Sequence, residues 1–143
     1  MAVARIVVDT NVFIAALLRR EGFNRKILRS CLEEKVQPLM GQALFMEYED
    51  VFGRNGLFRD SPLSGSERQQ MFDAFLSACE WVKVYYRWRP NLRDEGDNHL
   101  VELAVAGSAS AILTHNVSDF QKSDLLFPQI RVITPKEFTK EIT

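Results

Sequence analysis

Cysteine is scarce in this sequence: Cys31 and Cys79 are its two, each inside a segment that reads as helix. Histidine is as rare, and His99 and His115 do not combine with the cysteines at zinc-ligand spacing. A disulfide framework and a structural zinc module are therefore both disfavoured. An excess of charge of one sign is also missing. The formal net charge is −1, so the global field does not mark a polyanion binder, although a local basic surface is all an enzyme needs. No apolar run approaches the roughly 20 residues of a membrane span, and the first residues lack a signal-peptide pattern. The expectation is a reduced, cytoplasmic protein with no membrane partner. No glycine-rich phosphate loop is present, and no Ser-His-Asp or Cys-His arrangement can be read.

What is there is ordinary globular material: 143 residues, 46% hydrophobic and 26% charged, enough to bury one core without staples. The whole of residues 1–143 reads as a single domain, with no repeat and no linker. "ARIVV" is a β-branched run typical of a strand buried on both faces, and "NVFIAALLRR" continues as a helix that Asp9 or Thr10 can cap. "NRKILRSCLEE" reads as helix, "VQPLM" as strand, and "QALFMEYEDVF" as helix with Leu44, Tyr48, Val51 and Phe52 on its apolar stripe. A turn-rich loop over 53–66 leads to the helix "ERQQMFDAFLSACE" and the alternating strand "WVKVYYRW". "GDNHLVELAVAG" reads as a helix stopped by Gly107, "SAILTHN" and "IRVIT" as strands, and "PKEFTKEI" as a closing helical turn. Strands alternating with helices imply an α/β fold, a three-layer α/β/α sandwich around a parallel sheet.

In such sheets ligands bind beyond the carboxyl ends of the strands. Asp9 ends "RIVV", and Asn116 and Asp119 follow "AILT" in the same way. Asp97 lies in line with Leu100, Val101 and Ala104, at the start of its helix, while Glu102 is expected on the opposite, solvent side. Capping competes with a site role for Asp94 and Asp97. Glu47 and Glu49 flank one apolar stripe, and periodicity does not choose between them. Two carboxylates about 4 Å apart repel by roughly 4 kcal/mol at an effective dielectric of ~20, so acids gathered at one sheet edge need protons or a cation. All-oxygen ligands favour Mg²⁺ or Mn²⁺ over zinc, and such ions most often handle phosphates.

"VVDTNVFIAALL", "ALFMEYEDVF", "RDEGDNHLVELAVAGSASAILTHNVSDF" and "ITPKEF", in this order and spacing, resemble the PIN-domain family. The likeness is to its bacterial branch of VapC-like toxin–antitoxin ribonucleases. It implies an α/β/α sandwich and a Mg²⁺- or Mn²⁺-dependent endonuclease that cuts single-stranded or structured RNA. An antitoxin protein is the implied partner, and a homodimer is an option. Carried over by residue, the resemblance places the catalytic and metal-binding acids at Asp9, at Glu47 (with Tyr48 and Val51 behind it), at Asp97 and at Asp119. Many members carry aspartate where this chain has Asn116, which can position water or a ligand but brings no charge. Thr10, Asn11 and Thr114 read either as groups orienting the acids or as turn and cap residues.

"KVYYRWRPNLR" mixes Lys83, Arg87, Arg89 and Arg93 with Tyr85, Tyr86 and Trp88, a mix suited to single-stranded nucleic acid; a half-buried strand with a solvated basic face is the stronger reading. Arg19, Arg20, Arg54 and Arg59 are free as phosphate contacts or plain surface charges, and His115 reads as structural or peripheral. The alternative to a nuclease is a PIN-like RNA- or protein-binding module with weak or no catalysis. A phosphohydrolase with Asp9 as nucleophile is disfavoured, because Asn11 stands where its second aspartate belongs.

Overall fold

The structure, a computed structural model, describes residues 3–54, 56–84, 98–121 and 129–142. Five strands form one sheet in the order β3-β2-β1-β4-β5: β1 (Ala4–Val8), β2 (Val36–Met40), β3 (Glu80–Trp81), β4 (Ala111–Leu113) and β5 (Arg131–Ile133). Every pairing is parallel. Ile6, Val7 and Val8 are buried whichever way they point, as a β-branched strand covered by a helical layer on each side requires.

α1 (Thr10–Leu18), α2 (Phe23–Leu32), α4 (Gly65–Ala78) and α7 (Pro135–Ile142) pack together through α2, while α5 (Asn98–Ala106) lies on β1, β2 and β4. This is the α/β/α sandwich expected from the alternating pattern. α3 (Gln42–Phe52) touches both α1 and α5. Its Tyr48 is fully buried, packs edge-on against Phe13 with ring centroids 5.5 Å apart, and donates its hydroxyl to Val8 O at 2.8 Å. That bond ties α3 to the carboxyl end of β1.

β1, β2 and α3 have the expected bounds. Elsewhere the differences are informative. α4 starts at Gly65 rather than Glu67, because Ser64 and Glu67 form a reciprocal capping box. β3 ends at Trp81; Val82 N–H still reaches Met40 O, and the rest of "WVKVYYRW" from Tyr85 lies outside the described residues. The strands in "SAILTHN" and "IRVIT" are three residues each, and α6 (Val117–Gln121), five residues long, is too short to leave a periodic pattern in the sequence. The closing turn is a full helix, α7. Glu102, expected to face solvent, is 8% exposed, since α5 is covered by neighbours well beyond its apolar stripe. Gly107 follows α5 as expected, but the left-handed residue is Ser108. What demands glycine at 107 is close approach: a Cβ there would stand 2.5 Å from Leu39 Cδ1.

Candidate active site

The order of strands sets the location. From β1 the chain builds outward to β2 and β3, then returns to lay β4 on the other side of β1. The sheet edge beyond the carboxyl ends of β1 and β4 is thus the point where the winding reverses, the usual ligand site of such sheets. Asp9 and Thr114 each follow their strand directly onto it.

Asp9 is fixed by its backbone first, its N–H donating to Leu113 O at 3.0 Å. It occupies the N-cap position of α1 with extended backbone, yet its carboxylate makes no capping hydrogen bond, nor does Thr10 serve as one. Its oxygens are engaged by side chains instead. Oδ2 accepts the Thr114 hydroxyl at 2.8 Å and Asn11 Nδ2 at 3.3 Å. Asn11 Nδ2 also lies 3.3 Å from Thr114 Oγ1, and Asn11 Oδ1 accepts the His115 N–H at 3.2 Å. Thr114 Oγ1 accepts the Asn116 N–H at 3.1 Å. The segments "DTN" and "THN", over 100 residues apart, are stitched into one polar cluster with Asp9 and Thr114 buried in it.

Glu47 enters from α3. Thr10 Oγ1 lies 3.0 Å from Glu47 Oε1 and 3.5 Å from Asp9 Oδ1, and its single proton serves the nearer acceptor. The other glutamate oxygen, Oε2, is 2.6 Å from His99 Nε2 on α5. Facing a carboxylate, Nε2 is the nitrogen that carries the proton. Glu49 and Asp50 are exposed, and Asp50 pairs with Arg54. Of the two glutamates that periodicity left open, Glu47 is the one beside Asp9.

The two carboxyls are driven apart. Burial pushes the Asp9 carboxyl above its ordinary pKa; the Thr114 hydrogen bond opposes this, and the nearby Glu47 charge adds to it. Burial also pushes Glu47 up, but the hydrogen bond and charge of His99, with the Thr10 hydroxyl, outweigh it and hold Glu47 below its ordinary value. A buried carboxylate with a second one a hydroxyl away, and no Lys or Arg bonded to either among the described residues, is an arrangement that a hard cation would relieve.

The remaining sequence candidates divide. Asp97 lies outside the described residues, and α5 begins at the next residue, Asn98, which is 1% exposed. Asp119 is half-buried in the first turn of α6, its N–H bonded to Asn116 O, and Asn116 is exposed. Among the described residues no three Asp, Glu, His or Cys side chains come close enough to share an ion, so Asp119 does not join Asp9 and Glu47 in one ligand set there. His99 was not singled out from the sequence. It is off the line of Leu100, Val101 and Ala104, and only α3 packing on α5 gives it a partner.

The PIN domain family model matches residues 5–118. The chain belongs to the PIN domain family. This PIN domain is 28% identical to the uncharacterized protein MJ1680 of Methanocaldococcus jannaschii, over 96% of its own length and 90% of the relative's. Its fold is similar to a chain in the crystal structure of VapBC2 from Rickettsia felis bound to a DNA fragment from their promoter. The TM-score is 0.61 at 15% identity, with 90% of this chain and 96% of that one covered. Among the described residues no helix is long and apolar enough to cross a membrane.

Proposed function

We propose that this PIN domain is a Mg²⁺- or Mn²⁺-dependent endoribonuclease, the toxin of a cytoplasmic toxin–antitoxin pair, with residues 1–143 acting as one domain. The observation that carries the reading is the buried Asp9, held by Thr114 and Asn11 and separated from Glu47 by one hydroxyl, at the reversal point of the sheet. Oxygen-only donors suit a hard cation, with Asp9 and Glu47 as ligands, Asp97 proposed as a further ligand and Asp119 proposed to reach the ion through water. When bound, the ion supplies water activation and offsets charge on the phosphoryl oxygens. The chain's own residues do the rest. Thr114 and Asn11 hold the Asp9 oxygens against rotation. His99 keeps Glu47 ionised and aimed, so that Glu47 can accept a hydrogen bond from the attacking water and direct its lone pair at phosphorus as the 3′ oxygen departs. Asn116 positions water or a phosphate oxygen. The fold likeness to VapBC2 supports a toxin with an antitoxin partner that occludes this site.

Purified chain should cut single-stranded or loop RNA with Mn²⁺ present and stop on chelation, and Asp9→Asn should lower the rate by orders of magnitude. Cleavage indifferent to both would sink the proposal. A second reading, an RNA- or protein-binding module with little catalysis, is favoured by the uncharged Asn116; metal-dependent cleavage that Asn116→Asp preserves or raises excludes it.

A further inference from the structure

Ordinary structural roles account for only part of Arg25. Its Nε donates to Ala16 O at 2.8 Å, serving a carbonyl that the end of α1 leaves without a helical partner. Its Nη2 is buried and has no acceptor among the described residues. Burial, then the charges of Arg29 and Arg20, work against its guanidinium. Arg25 and Arg29 stand one turn apart on α2, a spacing at which like charges weaken a helix. Arg5, Arg54 and Arg131 each pair with a carboxylate, whereas Arg20, Arg25 and Arg29 form no ion pair among the described residues. Glu67, which senses the charge of Arg20, is committed to the Ser64 N–H.

The helix that carries Arg25 and Arg29 begins with Phe23, an aromatic ring 40% exposed, with Lys26 Nζ 5.5 Å from its centroid. The same turn is wired to the site. Asn24 Oδ1 meets His115 Nε2 at 2.7 Å, the His115 N–H donates to Asn11 Oδ1, and Asn11 Nδ2 donates to Asp9. Three hydrogen bonds thus join the first turn of α2 to the Asp9 carboxylate.

We propose that Arg20, Phe23 and Arg29 form a docking surface for single-stranded RNA, with backbone phosphates on the two arginines and a base stacked on Phe23, leading the strand to the sheet edge at Asp9. Cations that form no ion pair among the described residues suit a polyanion, and an exposed ring on the same helix favours a nucleic acid over an acidic protein, because every base offers a face to stack. This rests on the ribonuclease reading and names where its substrate lies.

The test is binding of a fluorescent single-stranded RNA in EDTA, followed by anisotropy at several salt concentrations, which separates it from cleavage. Arg20→Gln with Arg29→Gln leaves the Arg25 bond to Ala16 in place. It should reduce the slope of log affinity against log salt by about 0.7 per arginine removed. Phe23→Ala should weaken binding at least about 5-fold with the slope unchanged. Arg131→Gln, on a paired arginine, should do neither. An unchanged slope in the double variant, with circular dichroism intact, overturns the surface while leaving Mn²⁺-dependent cleavage to stand or fall separately. Poly-glutamate bound as tightly as RNA and insensitive to Phe23→Ala would overturn it in favour of an acidic protein partner.

Discussion

His99 Nε2 and Glu47 Oε2 lie 2.6 Å apart across the α3–α5 contact, although 52 positions separate them in the chain. The imidazole thereby sets both the charge and the direction of a carboxylate whose other oxygen faces Thr10. His99→Leu should reduce cleavage by about 10- to 100-fold, as loss of a group that orients a metal ligand generally does. It should also weaken Mn²⁺ binding to the RNA-free protein, measured by calorimetry. His99→Gln, which keeps a donor, should recover part of both. Wild-type Mn²⁺ affinity in His99→Leu would assign the pair to packing alone.

Asp9 and Glu47 should shift stability with pH in opposite senses. The folded state raises the Asp9 pKa above its ordinary 3.8, so its stabilising contribution is complete below that value and is lost as pH rises through the folded pKa. Asp9→Asn should therefore melt at or above the wild-type temperature at pH 7, an advantage that vanishes near pH 3.8. Glu47 is the reverse: its lowered pKa contributes stability above its ordinary 4.5, lost as pH falls through the folded value. Glu47→Gln should melt below wild type at pH 7, with the gap closing under acid. Thermal melts from pH 7 to 3.5 report both, and parallel curves would refute the assignment.

Thr114 is fully buried and serves Asp9 Oδ2, Asn11 Nδ2 and the Asn116 N–H at once. Thr114→Val keeps the volume but leaves those groups short of a partner. A loss of about 1–3 kcal/mol in urea unfolding is expected, together with a fall in cleavage rate that Thr114→Ser restores. A variant as stable and active as wild type would show that Asp9 is held by other means.

Gly107→Ala tests the packing at the end of α5 against β2. The added Cβ would meet Leu39 Cδ1 at 2.5 Å and Val82 Cγ2 at 3.2 Å, with Leu39 itself buried. Overpacking of this kind costs about 1–3 kcal/mol, which a denaturation curve will show as a lower midpoint. A midpoint equal to wild type would mean that Leu39 has room to turn away.

Hydrophobic patterning by itself determined the five strands, every helix but α6, and the parallel sheet, since burial on two faces, on alternate residues or on one helical stripe leaves a local imprint. β1, β2 and α3 end where their residue types change, and Asp9 was visible as an acid closing a core strand. The tertiary structure decided what no local pattern carries. Glu47 and Glu49 flank one stripe equally, and only the seating of α3 between α1 and α5 brings Glu47 to Thr10 and His99. Glu102 is covered because α5 is enclosed by more than the sheet its apolar face predicts. The stitching of Asn11 to Thr114 and His115 follows from β4 lying beside β1, a pairing over 100 residues distant. Periodicity records which side of an element is buried; which groups meet there depends on where the chain returns.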